Sequence, residues 1–308
     1  MKPGSRSANV GNPIATKSTA NVTHSHLWMA DTSNILLANQ IKLVDWAGFP
    51  INRKFVMTDA MVQQAQVPNT GRIIDHWRGG AHHLPADAEA AKAFCALYPG
   101  FPQVYQTLQE FVGRAAQAIA EQGVNQFLLL GAGIPTQGNV HEILPEARVL
   151  YTDIDAINIA LGSEILATTP GAGYAYCDAT DLGTLDQEMM ERVLDPTAPI
   201  GIVMTGITVS LDDDAAQKAL SHIFDWASRG SYLAVDFDGE ALATFPVIKE
   251  RILDQSDKPL HLRGPHQIHP LLGRWRVTGD GVGPVDTWRN PGPQPDKVFM
   301  YGCVAYKP

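Results

Sequence analysis

The chain predicts an α/β fold, a mostly parallel sheet wound with helices on both faces and finished by an antiparallel pair. Three observations predict it. Strand-like and helix-like stretches alternate from about residue 126 to residue 237, the pattern of a doubly wound sheet. The first strand runs straight into Gly131-Ala132-Gly133, and the second ends in Asp153. Two further strand-like runs, Arg274–Val277 and Val298–Ala305, close the chain as an antiparallel pair.

Taken in order, residues 1–23 are rich in Ser, Asn, Thr and Gly and lack an apolar core, which reads as a disordered leader and not a signal peptide. Thr32-Ser33-Asn34 can cap a short helix, Ile35 to Trp46, with Leu36, Ile41 and Val44 as its apolar positions and Gly48-Phe49-Pro50 as its end. Residues 70–122 read as helical. Pro85-Ala86-Asp87 opens an alanine-rich helix to Tyr98, and Pro99-Gly100-Phe101-Pro102 breaks it. The next helix, Val104 to Gln122, places Leu108, Phe111, Val112, Ala115 and Ile119 on one face. The organisation expected is a mainly helical lid or substrate segment over 24–122, followed by a nucleoside-binding domain over 123–308.

In that domain the strands are Phe127–Leu130, Arg148–Asp153, Gly173–Cys177, Ile200–Thr205 and Tyr232–Phe237. Helices are expected over Ala156–Ala167, Leu185–Leu194 and Ala215–Arg229, the last capped by Asp212-Asp213-Asp214. The Gly/Pro-rich stretch Gly279 to Lys297 is too long for a tight turn and is a candidate site loop. Five alternating units plus a terminal antiparallel pair make a seven-stranded, Rossmann-like sheet, the strand count of the class I methyltransferase fold.

The chemistry concentrates at the strand ends. A buried strand, a glycine turn, a helix and a second strand ending in a carboxylate form a nucleoside-binding βαβ unit, and Asp153 can accept both hydroxyls of a ribose. A dinucleotide site wants a third glycine at the helix start, so that a pyrophosphate can sit there. Here that position is Thr136, preceded by Pro135, which removes a backbone donor. A ligand without phosphates, such as S-adenosylmethionine, suits this turn better than NAD. Ligands in open sheets lie outside the carboxyl ends of the strands, where Asp178 can accept from an adenine amino group and Thr205-Gly206 mark the end of strand four.

Composition narrows the field. A formal charge of −9 with no Lys/Arg run argues against a protein that grips nucleic acid through its phosphates. Cys95, Cys177 and Cys303 stand far apart with no Cys-x-x-Cys pair, so neither a disulfide framework nor a zinc site is indicated, no metal is expected, and a cytoplasmic setting fits. No apolar run reaches the roughly 18 residues of a membrane span. A serine hydrolase reading fails for want of a Gly-x-Ser-x-Gly elbow, and a P-loop reading for want of Gly-Lys-Ser/Thr.

Three motifs carry a resemblance. Arg72-Ile73-Ile74-Asp75-His76-Trp77-Arg78-Gly79-Gly80 precedes Asp87; Gly131-Ala132-Gly133-Ile134-Pro135-Thr136-Gln137-Gly138-Asn139-Val140-His141-Glu142 follows; then comes Tyr151-Thr152-Asp153-Ile154-Asp155. Together they resemble the S-adenosyl methyltransferase family long catalogued in actinomycetes as a domain of unknown function, over about residues 68–308. The resemblance implies S-adenosylmethionine on a Rossmann-like domain. It implies that Gly131, Ala132 and Gly133 meet the methionine end, that Asp153 with Ile154 meets the ribose, and that Asp178 and Ala179 meet the adenine. Thr205 and Gly206 would line the strand-four side, and Gly80 in Arg78-Gly79-Gly80 would approach the cofactor carboxylate or the acceptor pocket. Asn139 is expected to bond backbone, and His141 to bridge to the N-terminal segment. His76 stands where the family usually has Tyr, and Ala81-His82-His83 departs from it too.

Methyl transfer needs positioning, exclusion of water and, for some acceptors, a base. His82 and His83, after the flexible glycines, are the first candidates for that base, with His76 behind them. The expectation is a methyltransferase acting on O, N or an activated carbon of a small molecule of secondary metabolism, with a second copy of the chain as a further candidate partner. The alternatives are an NAD(P)-dependent oxidoreductase and a protein that binds S-adenosylmethionine without transferring its methyl group.

Overall fold

The structure is a computed structural model describing residues 41–44, 55–246 and 259–308. The leader and most of the helix expected at 35–46 lie outside the described residues. Ile41–Val44 (β1) is a strand and not a helix: it pairs antiparallel with Phe55–Thr58 (β2), Ile41 opposite Thr58 and Val44 opposite Phe55. Both tetrapeptides are rich in β-branched and aromatic residues that favour extended backbone. A paired partner strand outweighs the helical spacing of three apolar side chains.

Helices follow as the capping pattern dictates. Asp59–Gln64 (α1) is capped by the Thr58 hydroxyl, and Thr70–Trp77 (α2) by Asn69, whose side chain accepts from the Gly71 and Arg72 amides. Pro85–Leu97 (α3) and Phe101–Ala120 (α4) come next, each opened by a proline in its first turn. The parallel strands are Gln126–Leu130 (β3), Arg148–Asp153 (β4), Ala172–Tyr176 (β5), Gly201–Met204 (β6) and Tyr232–Asp238 (β7). Between them lie α5 (Val140–Ile143), α6 (Ala156–Leu166), α7 (Gln187–Val193) and α8 (Asp213–Trp226). The helix after the glycine turn is thus a single turn, because Pro135 and Gly138 keep the preceding backbone out of helical hydrogen bonding.

Two short strands, Arg276–Val277 (β8) and Gly283–Pro284 (β9), and the long Met300–Tyr306 (β10) complete the sheet. Its order is β5-β4-β3-β6-β7-β10-β8, with β9 also on β10. The first five strands are parallel, and β10 inserts antiparallel between β7 and β8. Counted from β3, this is the 3-2-1-4-5-7-6 order of a Rossmann-like class I methyltransferase sheet. On one face α4 packs Phe111, Val112, Ala115 and Ile119 against β3, β6 and β7; on the other, α7 and α8 bury Met190, Val193, Leu220 and Ile223.

The Gly279–Lys297 connection is not a site loop. Val285 and Trp288 are buried behind α4, where Trp288 meets Phe111 edge to face at 5.2 Å, and Arg114 donates to both of their carbonyls. Among the described residues, no helix is long and apolar enough to cross a membrane.

Candidate functional site

Strand order reverses between β3 and β6, and the crevice outside their carboxyl ends is where an open sheet takes its ligand. A cavity of about 450 Å3 lies there, within the range of small-molecule sites. Its walls include Gly131, Ala132, Gly133, Asp153, Ile154, Asp178, Ala179, Thr205 and Gly206. One crevice brings together strand ends that are scattered along the sequence.

Gly133 is its tightest point. It adopts a φ of 62°, open to glycine at little cost. Its amide donates to Asp153 Oδ2 at 3.0 Å, and its carbonyl accepts from the Tyr174 hydroxyl at 2.6 Å. Gly71, in the first turn of α2, closes on it from above: a Cβ on Gly71 would stand 2.7 Å from Gly133 Cα. Asp153 also accepts from the Asp155 amide and from Asn158 Nδ2, at 2.9 and 3.2 Å. Burial pushes its carboxyl above the usual aspartate range, and these donors work against that rise. At the far end, Asp178 Oδ1 accepts from the Thr180 amide and hydroxyl, which fixes a carboxylate beside Ala179.

The N-terminal segment is bolted to this crevice by buried charge. Arg72, fully buried, donates to Asp87 at 2.9 Å, to Asp155 at 3.0 Å, and to Asn158 and the Val67 carbonyl. Asn69 bonds Asp155 and Asn158 as well. None of Asn69, Asp155 or Asn158 is legible as a site residue from spacing alone, although Arg72, Asp87 and Asp155 all lie in the motifs that carry the resemblance.

His76, His82, His83 and Gly80 do not line the cavity; they gather around Asp75. Its buried Oδ2 accepts from the His82 amide at 2.9 Å and stands 3.3 Å from His83 Nδ1. His83 Nε2 is 3.1 Å from His76 Nδ1, the rings meeting edge to face. Gly80 packs so closely on this carboxylate that a Cβ would lie 2.0 Å from Asp75 Oδ1. The physical reason is that a buried acid in α2 must be paired, and the turn after Gly80 folds back to supply the partners. Burial, and then His83 and Lys92, hold the His76 imidazole below its usual range. Among the described residues, no group of His, Cys, Asp and Glu could hold a metal.

The motif residues Asn139 and His141 take different places. His141 bonds the Tyr151 hydroxyl on β4 at 2.7 Å, and so reaches the sheet and not the N-terminal segment. Asn139 lines the cavity, and its Nδ2, though buried, has no partner among the described residues. Arg78 lines the same wall and donates to the Gln137 carbonyl. An orphaned amide donor and a guanidinium beside the glycine turn fit the carboxylate of an amino-acid ligand. A pyrophosphate fits poorly. The helix after the turn is one turn long and begins only at Val140, and Gly71 fills the space above Gly133.

Fold, acid and glycine turn together define a nucleoside-binding α/β protein whose ligand carries an amino-acid end, the class to which enzymes using S-adenosylmethionine belong. The family model described as S-adenosyl methyltransferase matches residues 58–308, and the chain belongs to that family. S-adenosylmethionine is its methyl donor, and the protein is an S-adenosylmethionine-dependent methyltransferase. Two solved structures are similar along nearly their whole length. A DUF574 family protein from Streptomyces avermitilis MA-4680 is 30% identical, with 78% of this chain and 98% of that one covered and a TM-score of 0.68. A protein provisionally described as a methyltransferase from Thermobifida fusca YX is 25% identical, with 78% and 95% covered and a TM-score of 0.67. No curated protein matches the chain.

Proposed function

We propose that this methyltransferase acts on a small molecule, at O, N or an activated carbon, in the cytoplasm and in secondary metabolism. The observation that carries the reading is the single cavity that joins Asp153 and the Gly131–Gly133 turn to an apolar half walled by Trp77, Phe94, Phe101 and Leu242. The volume suits a cofactor and a small acceptor better than a macromolecular strand. Three free thiols accord with a reducing compartment.

In this reading Asp153 and Ile154 hold the ribose, Asp178 and Ala179 the adenine, and Thr205-Gly206 the strand-four side. Asn139 and Arg78 hold the amino-acid carboxylate at the glycine turn. Bound there, S-adenosylmethionine supplies a methyl group activated by a sulfonium. The chain's own work is to exclude water beneath α2, to fix the acceptor in line, and to accept its proton where one must leave.

The test is calorimetry with S-adenosylmethionine and S-adenosylhomocysteine on wild type and Asp153→Ala. Losing hydrogen bonds to a charged acceptor should weaken binding by roughly ten- to a hundredfold. Unchanged affinity would remove Asp153 from the cofactor site. Extracts incubated with isotopically labelled donor would then identify the acceptor.

A further inference from the structure

The half of the cavity remote from Asp153 carries a chemistry that cofactor binding leaves unused. Ala234 on β7 packs in the same core cluster as Phe111 and Ala115 of α4, so by strand alternation Asp236 and Asp238 share that face. Asp238 ends the strand and lines the cavity. Asp236 lies beneath it, fully buried, with Oδ1 accepting from the Gly206 amide at 2.8 Å and Oδ2 without a partner among the described residues. Tyr105, from α4, lines the same wall, within electrostatic reach of both acids.

Among the described residues, no cationic side chain forms an ion pair with either acid, and the Arg263 side chain acts on Asp238 only through its field. Arg263 lends its backbone amide to the Asp238 carbonyl, but its guanidinium is committed to the Thr208 and Leu211 carbonyls and to Asp213. Arg78, the one cation among the described lining residues, holds the Gln137 carbonyl. Around the acids the wall is aromatic and apolar: Trp77 stacks on Phe101 and tilts against Tyr105, Met300 pairs with Asp238 across the strands, and Leu260 lines the same cavity. A buried acid with an orphaned oxygen beneath a half-buried one, beside aromatic rings, forms a site completed by a cationic ligand.

We propose that Asp238, backed by Asp236 and Tyr105, receives the nucleophile of the acceptor, and that the acceptor is a small amine on an apolar, ring-sized body. The inference rests on the methyltransferase reading above and deepens it. The amine enters as an ammonium and gives its proton to the Asp238 carboxylate. The freed nitrogen lone pair forms the new N–C bond as the C–S bond breaks with its electron pair onto sulfur. The methylated amine leaves as an ammonium, S-adenosylhomocysteine remains as the by-product, and Asp238 passes its proton to water. Acceptors carrying a carboxylate or phosphate at this end meet like charge and are rejected.

The experiment is calorimetry on the full chain saturated with S-adenosylhomocysteine, using 2-phenylethylamine, 2-phenylethanol and 3-phenylpropionate as shape-matched probes. The amine should bind at least about tenfold more tightly than either other probe. Asp238→Asn should bring it down to the level of the alcohol while S-adenosylhomocysteine still binds. Equal or better binding of the alcohol or the carboxylate, or an amine preference that survives Asp238→Asn, overturns the proposal. If Asp238→Asn does not fold, Tyr105→Phe should weaken the amine by roughly three- to tenfold, and an unchanged affinity counts against the proposal. A wild-type chain that takes up no S-adenosylhomocysteine would instead overturn the parent reading, and with it this one.

Discussion

Gly71 of α2 and Gly133 of the glycine turn meet backbone to backbone, each occupying the space that a Cβ of the other would need. The N-terminal segment therefore roofs the crevice at atomic contact. Gly71→Ala should cost about 1–3 kcal/mol as an overpacked contact, measured by urea unfolding. It should also weaken S-adenosylhomocysteine in calorimetry, because relief of the clash lifts α2 off the turn. A variant with wild-type stability and affinity would show that the roof has slack.

Arg72 bridges Asp87 of the roof and Asp155 of the floor, with both ion pairs buried. Removing the cation from such a site strands two acids, so Arg72→Ala should destabilise the fold by about 3–5 kcal/mol. Chemical denaturation measures it. A loss below about 1 kcal/mol would mean that water replaces the guanidinium.

His83 supports a buried carboxylate away from the cavity wall. His83→Ala should cost about 1–3 kcal/mol of stability and leave kcat within about threefold of wild type. A general base contributes roughly a hundredfold or more, so a fall of that size would return the histidine to the reaction.

Burial pushes Asp236 up to about 7, against about 4 in an unfolded chain. Between those values the folded state binds more protons than the unfolded one. The stability this group confers is therefore whole below the unfolded value and is lost as pH rises through the folded one. Asp236→Asn removes that titration. Its stability relative to wild type should rise, by on the order of 1 kcal/mol or more, between about pH 5 and pH 8. Paired denaturant curves at the two pH values check the sign.

The sheet was legible because its strands are short apolar runs bounded by glycine, proline and acids, so β3 to β7 fall within a residue or two of their expected limits. The cavity-lining candidates at the strand ends were legible for a related reason: strand ends are read directly once the strands are. Asp238 was not, since strand five was expected to stop at Phe237, one residue short of the acid that faces the cavity. The histidines misdirected because a run after two glycines looks mobile and reactive, while the buried demand of Asp75, eight residues before His83, is invisible in one dimension. The pairing of β1 with β2 was hidden by an apolar spacing that both a helix and a strand can satisfy.

The antiparallel insertion of β10 has a consequence for biogenesis. During synthesis β7 is an open edge, with Leu233, Val235 and Phe237 on one face and Ala234 on the other, until Met300–Tyr306 arrives from far downstream to cover it. Such a late, non-local closure slows maturation and leaves a sticky ribbon exposed in the meantime. Recovery of native enzyme should thus depend on temperature and crowding during expression far more than on the stability of the finished molecule.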